Sequence, residues 1–139
     1  MHRPFTRAWA DALREAINSD ANYKSAASKW TWPVALVLEA NPALGYEEPV
    51  AVELALDRGT CHAATVIAPT AITAPFTLRA AYPVWKQIVT GSLDAVTAVT
   101  MGQVKLTGAL TTLLLHVNAA KALVGAARLV PTAFPDEAA

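Results

Sequence analysis

Cys61 and His62 stand side by side, the residue types of a thiolate–imidazole pair in which the ring takes the thiol proton and leaves a nucleophile. Their surroundings read as a strand, and consecutive strand residues point to opposite faces, so the two meet only if the strand breaks there. The three histidines, His2, His62 and His116, have neither mutual metal-ligand spacing nor cysteine partners, whereas zinc takes three or four protein ligands. No metal is expected. Glu47 and Glu48 fall in a loop signal rather than facing each other across a cleft. No glycine-rich phosphate loop, nucleophile elbow or dinucleotide fingerprint occurs, so no cofactor is expected. An acid–base pair assembled from distant positions stays open, but the residues themselves point away from an enzyme.

Aromatic side chains are the next candidates. Trp30 and Trp32 are two residues apart, which on a strand puts them on one face, to pack a core or stack on a flat ligand. The elements that position these groups follow from periodicity. Trp9, Ala12, Leu13, Ala16 and Ile17 recur at helical spacing between Thr6 and Asn18, with Arg7 and Asp11 four apart on the other side. Asp20 caps a short second turn through Tyr23, Ala26 and Ala27, expected as a lid rather than a linker. From Trp30 to Ala68 the period becomes two. Val34, Leu36 and Leu38 make a first strand, and Val50, Val52, Leu54 and Leu56 a second. Asp57-Arg58-Gly59 turns into a third from Thr60 to Ala68, and a fourth runs from Phe76 to Ala81. Pro83 opens a helix striped by Val84, Trp85, Ile88 and Val89 and closed by Gly91. Ser92 is placed to cap the next helix, with Leu93, Val96 and Thr100 on one face. Gln103 to Thr107 is a last strand.

Composition narrows the functions. Lysine plus arginine (11) equal aspartate plus glutamate (11) in 139 residues, so there is no basic field for nucleic acid. Hydrophobic residues make up 54% and charged residues 16%, against about 45–50% and about 25% in an average soluble domain. Part of the surplus is alanine. The rest must meet a core, a bound apolar molecule or a second chain, because wet apolar surface costs about 25 cal/mol per Å². The surplus concentrates in Ala109–Val130, which carries nine Leu and Val residues and only His116, Lys121 and Arg128 as ionisable groups. Those groups and Asn118 interrupt the roughly 20 apolar residues that a membrane span requires, so stable insertion is not expected. On a straight helix Leu113, Leu114 and Val117 fall within about 60° of Leu110, but Lys121 and Arg128 fall on the same face. Either the chain bends near Asn118, moving the stripe to Ala120, Leu123, Val124 and Ala127, or Lys121 emerges where its amine reaches water. A single cysteine suits a reducing compartment, and no apolar leader precedes the first helix; the expected location is cytoplasmic.

Taken in order, Phe76–Ala81, then Trp85-Lys86-Gln87-Ile88-Val89-Thr90-Gly91, then Leu93-Asp94-Ala95-Val96-Thr97-Ala98, then Gly102-Gln103-Val104-Lys105-Leu106-Thr107-Gly108 form a series. It resembles the sterol carrier protein-2 (SCP-2) domain family: a strand ending in a short helix, a glycine, a leucine–aspartate helix start, and a Gly-x-hydrophobic-Lys-hydrophobic-x-Gly strand feeding an apolar C-terminal helix. The likeness covers about Phe76 to Leu115, and its weight lies in order and spacing. The chain departs from the family at Pro75-Phe76 and at Ala109, where acidic residues are often found.

The resemblance implies an α+β, SCP-2-like fold: a five-stranded sheet covered by helices and enclosing an apolar tunnel, in one domain over residues 1–139 with a flexible tail at 131–139. It implies non-enzymatic binding and transfer of a hydrophobic small molecule or lipid, such as a sterol, fatty acid or fatty acyl-CoA. Tunnel walls are expected from Trp85, Ile88 and Val89, from Leu93, Val96 and Val99, from Met101, and from Leu110, Leu113, Leu114 and Val117. Lys121 is expected to pair with the polar end of a ligand. The competing reading is an interaction or accessory subunit whose apolar C-terminal helix forms a dimer or hetero-oligomer interface, with a homodimer as one form.

Overall fold

The computed structural model describes residues 1–137. Helix α1 (Arg7–Ser19) starts at Thr6, whose hydroxyl accepts from the Trp9 N–H, and buries Trp9, Ala10, Leu13 and Ile17. Asp20 ends α1 and starts α2 (Ala21–Ala26), its carboxylate accepting from the Asn22 and Tyr23 N–H groups at 2.9 and 3.2 Å. One residue thus sets the corner between two helices.

Strands β1 (Val34–Leu38), β2 (Val50–Asp57), β3 (Thr60–Ile67), β4 (Phe76–Ala80) and β5 (Lys105–Thr107) form one sheet in the order β3-β2-β1-β4-β5. All pairs are antiparallel except β1 with β4. The β2–β3 turn holds Arg58 and Gly59 at φ 48° and 87°, the two positive angles of a tight hairpin turn. Register lines Val34, Leu36 and Leu38 with Leu54, Val52 and Val50 on one side and with Phe76, Leu78 and Ala80 on the other, so one face is continuously apolar. On the opposite face Glu53 anchors the connection from β3 to β4, accepting from the Thr73 and Ala74 N–H groups at 2.8 and 3.1 Å.

Helices cover the apolar face. These are α1, α2, α3 (Tyr82–Thr90), α4 (Ala95–Thr100), α5 (Leu110–Leu115) and α6 (Val117–Arg128), and α6 packs against the other five. Gly91 ends α3 at φ 94°, with its N–H on the Gln87 and Ile88 carbonyls. Ser92 does not cap α4. Its N–H and hydroxyl are spent on the Gln87 carbonyl, and Asp94 caps α4 instead, accepting from the Thr97 N–H at 2.9 Å. Trp30 and Trp32 precede β1 rather than lie on it, because Pro33 has no N–H to give a ladder. The last strand is shorter than expected, since the Gln103 and Val104 N–H groups bond to the Ala98 carbonyl. The long C-terminal helix breaks at His116, two residues before Asn118, into α5 and α6.

Residues 131–137, most of the expected flexible tail, make hydrogen bonds to the rest of the fold. The His2 N–H donates to the Pro131 carbonyl and the Ala133 N–H to the His2 carbonyl, the Trp9 indole N–H donates to the Thr132 hydroxyl at 3.2 Å, and Phe134 packs against the core. Tyr82 donates to Asp136 at 2.6 Å, and Lys86 reaches Asp136 and Glu137 at 2.9 and 2.5 Å. The rest of that tail, 138–139, lies outside the described residues.

Candidate ligand-binding cavity

Between the apolar sheet face and the helices lies a cavity of about 100 Å³. The sheet contributes Val34 and Leu36, Leu54 and Leu56, Phe76 and Leu78, and Leu106. Phe5, α1 (Trp9, Leu13) and Tyr23 close one side with Trp30. Trp85, Ile88 and Val89 come from α3, Ala95, Val96 and Val99 from α4, Leu113 from α5, and Ala119, Ala120, Leu123, Val124 and Ala127 from α6. Alternation along the strands and i, i+3, i+4 spacing on the helices direct these side chains inward.

The wall holds no charge. Its one titratable group is Tyr23, and burial, with the nearby Cys61 adding to it, pushes that phenol up and keeps it neutral. Such a space can hold several waters by volume but offers them almost no hydrogen-bond partners, so it favours an apolar occupant. Ligand pockets for drug-sized molecules run to about 300–1,000 Å³. A sterol or long acyl chain therefore requires the walls to part.

Of the residues expected in the wall, Trp85, Ile88, Val89, Val96, Val99 and Leu113 border the cavity. Leu93 is half-buried and packs on the core without bordering it, and Val117 is half-buried at the start of α6. Met101, Leu110 and Leu114 lie outside, exposed by 70%, 43% and 44%. The reason is the break at His116, which turns α5 so that only Leu113 faces inward. After the break the inward stripe is Ala120, Leu123, Val124 and Ala127. Lys121, one step off that stripe, is exposed and close enough to lower the Asp94 carboxyl, an effect smaller than that of the Thr97 N–H. Trp85 also donates its indole N–H to the Val37 carbonyl at 2.9 Å, locking α3 to the central strand.

Nothing in the sequence separated the N-terminal wall, Phe5, Trp9, Leu13 and Tyr23, from ordinary core. Cys61 and His62 do not assemble. A bulge at residues 62–63 leaves Cys61 fully buried, its thiol donating to the Ala63 carbonyl, while His62 is exposed. Burial pushes the Cys61 thiol up to about 11.

Over residues 11–121 the sequence matches the model of the SCP-2 sterol transfer family. The chain belongs to that family. A crystal structure of sterol carrier protein 2 is 32% identical and superposes with a TM-score of 0.87, over 92% of this chain and 99% of the other. A conserved hypothetical protein of Thermus thermophilus, named as a candidate sterol carrier protein, is 31% identical at a TM-score of 0.87, over 96% and 93%. Sterol carrier protein 2 of Yarrowia lipolytica, without ligand, shares the fold at 17% identity and a TM-score of 0.56, over 86% and 88%. No curated protein matches the sequence. The α+β architecture with its five-stranded sheet and six helices is thus the SCP-2 fold. Among the described residues no helix is long and apolar enough to cross a membrane, and no cluster of His, Cys, Asp and Glu could hold a metal ion.

Proposed function

We propose that residues 1–139 act as one SCP-2 domain that binds a hydrophobic molecule, a sterol, fatty acid or fatty acyl-CoA, in this cavity and carries it without catalysing a reaction on it. The observation that carries the reading is the wall: every bordering side chain is apolar apart from one neutral phenol, so binding energy comes from apolar burial and not from a directed polar contact. Membership of the SCP-2 sterol transfer family supports it. The polar end of an acyl ligand has no partner inside. We place it at the rim beside α6, where Lys121 sits between the wall residues Ala120 and Leu123.

A fluorescent fatty acid or sterol titrated into the protein tests the reading. A ligand that binds only the folded state stabilises it, by about 2.7 kcal/mol at a hundredfold excess over Kd. Saturable binding is expected, with a matching rise in Tm and a change in tryptophan emission that Trp85→Phe reduces but does not abolish, because Trp9 and Trp30 border the same cavity. Unchanged Tm and emission with fatty acid, sterol and fatty acyl-CoA each titrated in turn would rule it out. Lys121→Met should weaken the fatty acid by about tenfold and spare the sterol, as loss of a charge-assisted contact does.

The second reading, an interaction subunit, draws on the leucines that α5 leaves outside, Leu110, Leu114 and Leu115. A ligand-free dimer in sedimentation velocity would favour it.

A further inference from the structure

Four polar side-chain groups stand in the cavity wall: the indole N–H groups of Trp9, Trp30 and Trp85 and the phenol of Tyr23. Three are spent inside the protein. Trp9 donates to the Thr132 hydroxyl at 3.2 Å, Trp30 to the Trp32 carbonyl at 2.7 Å and Trp85 to the Val37 carbonyl at 2.9 Å. The other two tyrosines are spent as well, Tyr46 donating to the Pro4 carbonyl at 2.7 Å and Tyr82 to Asp136 at 2.6 Å. The Tyr23 hydroxyl makes no hydrogen bond among the described residues, and the nearby Cys61 thiol is turned to the Ala63 carbonyl.

Tyr23 is 1% exposed, and a phenol so deeply buried normally finds a partner. Its oxygen is not sealed in protein, because the one side-chain polar atom among the described residues that is both sealed and unpartnered is Arg3 Nε. With so little surface open and the cavity on its flank, the room beside that oxygen is the cavity. A water there would have the phenol as its only side-chain partner, short of the about two to four bonds that a buried water makes. The oxygen of an otherwise apolar molecule needs fewer, since the wall holds the rest of it. A carboxylate fits badly: the wall has no cation to pair with it, and the burial that keeps the phenol neutral penalises any anion beside it.

Helix α2 sets the phenol at one edge of the sheet. The backbone of Lys24, the next residue, lies against the β2–β3 turn, where a Cβ on Gly59 would stand 2.8 Å from it, and Cys61 is on edge strand β3. Lys121 belongs to the other side. It is close to Asp94 at the start of α4, and the Ala98 carbonyl of α4 accepts from Gln103 and Val104, which lead into the opposite edge strand, β5.

We infer that the Tyr23 hydroxyl is the polar anchor of the cavity, donating to the single uncharged oxygen of a hydrophobic alcohol such as a sterol or a long-chain alkanol. The inference rests on the ligand reading above and adds to it a direction and a choice. An alcohol lies with its oxygen inward at Tyr23, and an acid with its carboxylate outward beside Lys121. Apolar burial supplies the affinity, and the phenol decides which hydrophobe is kept and which way round it lies.

Displacement of a fluorescent fatty acid by 1-dodecanol and by dodecane, from the parent and from Tyr23→Phe, tests the anchor. The substitution removes one oxygen and keeps the ring, so it should weaken dodecanol by about tenfold and leave dodecane and the fatty acid unchanged. Without ligand, Tyr23→Phe should melt at or above the parent, since the hydroxyl it removes has no partner in the fold. A dodecanol affinity that the substitution leaves unchanged, an equal loss for dodecane, or a lower Tm of the ligand-free variant would overturn the inference. The ligand reading falls separately: a parent that takes up neither the fatty acid nor dodecane loses both, whereas a parent that binds all three probes, with Tyr23→Phe changing none of them, loses the anchor alone.

Discussion

The first half of the chain holds its large apolar side chains fully buried, and the second half leaves several of them exposed. The largest fully buried side chains, Leu13, Ile17, Tyr23, Val37, Leu38, Val52, Leu54 and Cys61, all precede residue 62. Apart from Met1, the exposed large apolar residues, Met101, Leu110, Leu114, Leu115 and Leu129, all follow residue 100. The helix starts follow the difference in part: side chains cap both helices of the first half, α1 and α2, but only α4 in the second, where α3, α5 and α6 have no side-chain cap. Both halves line the cavity, the first as the more fully buried frame and the second as the more exposed side.

Core substitutions should break this comparison most sharply. Leu38→Ala, fully buried in the frame, should cost about 2–5 kcal/mol in chemical denaturation. Leu113→Ala should cost less, below about 2 kcal/mol, because that side chain already faces open space and makes fewer contacts. Equal costs would mean that the cavity side is as tightly packed as the frame. Gly91→Val comes next. Its φ of 94° strains any side chain, although a Cβ there would meet only the Arg128 guanidinium at an ordinary 3.6 Å, so the loss should stay near about 1–3 kcal/mol. A variant that melts with the parent would show that the α3 terminus yields.

The smallest effect concerns acid. The Tyr82 hydroxyl, and after it the Lys86 ammonium, holds the Asp136 carboxyl below the usual aspartate range. A carboxyl lowered on folding adds stability above its ordinary value near about 4, and the gain is lost as pH falls through the lower folded value. Melting curves of the parent below about pH 4 should therefore fall more steeply than those of Asp136→Asn. Parallel curves would show that the exposed Lys86–Asp136 contact adds nothing to the docking of residues 131–137.

Legibility in the sequence followed the same divide. Alternation at Val50–Leu56 and the helical stripe of Trp9, Leu13 and Ile17 announced buried faces directly, and Gly91 announced its helix end. Trp30 and Trp32 kept the period of two but not the strand, because periodicity does not register the N–H that Pro33 lacks. Ser92 had the chemistry of a cap and lost the position to Asp94, since the glycine terminus had already used its hydrogen bonds. Along Ala109–Val130 the cations on the apolar face announced a bend near Asn118 with the stripe Ala120, Leu123, Val124 and Ala127 beyond it, and the structure has both, but the pattern did not say which leucines before the bend turn inward. That one break decided which of Leu110, Leu113 and Leu114 faces the cavity. The N-terminal wall was illegible for another reason: Phe5 and Tyr23 border a space that exists only once distant elements meet.

The parallel pairing of β1 with β4 carries a cost in time. Val34–Leu38 can zip to β2 soon after synthesis, across the short loop around Gly45, but its other edge waits for Phe76–Ala80, 42 residues downstream. Until then a five-residue ribbon of valine, alanine and leucine shows unpaired N–H and C=O groups, a template on which another nascent chain can add a strand. Non-local pairings of this kind form late because the loop must close before any contact rewards it. The central strand of the finished sheet is therefore the aggregation hazard of the unfinished one, and conditions that slow the arrival of β4 should raise the yield of insoluble protein without changing the stability of the native fold.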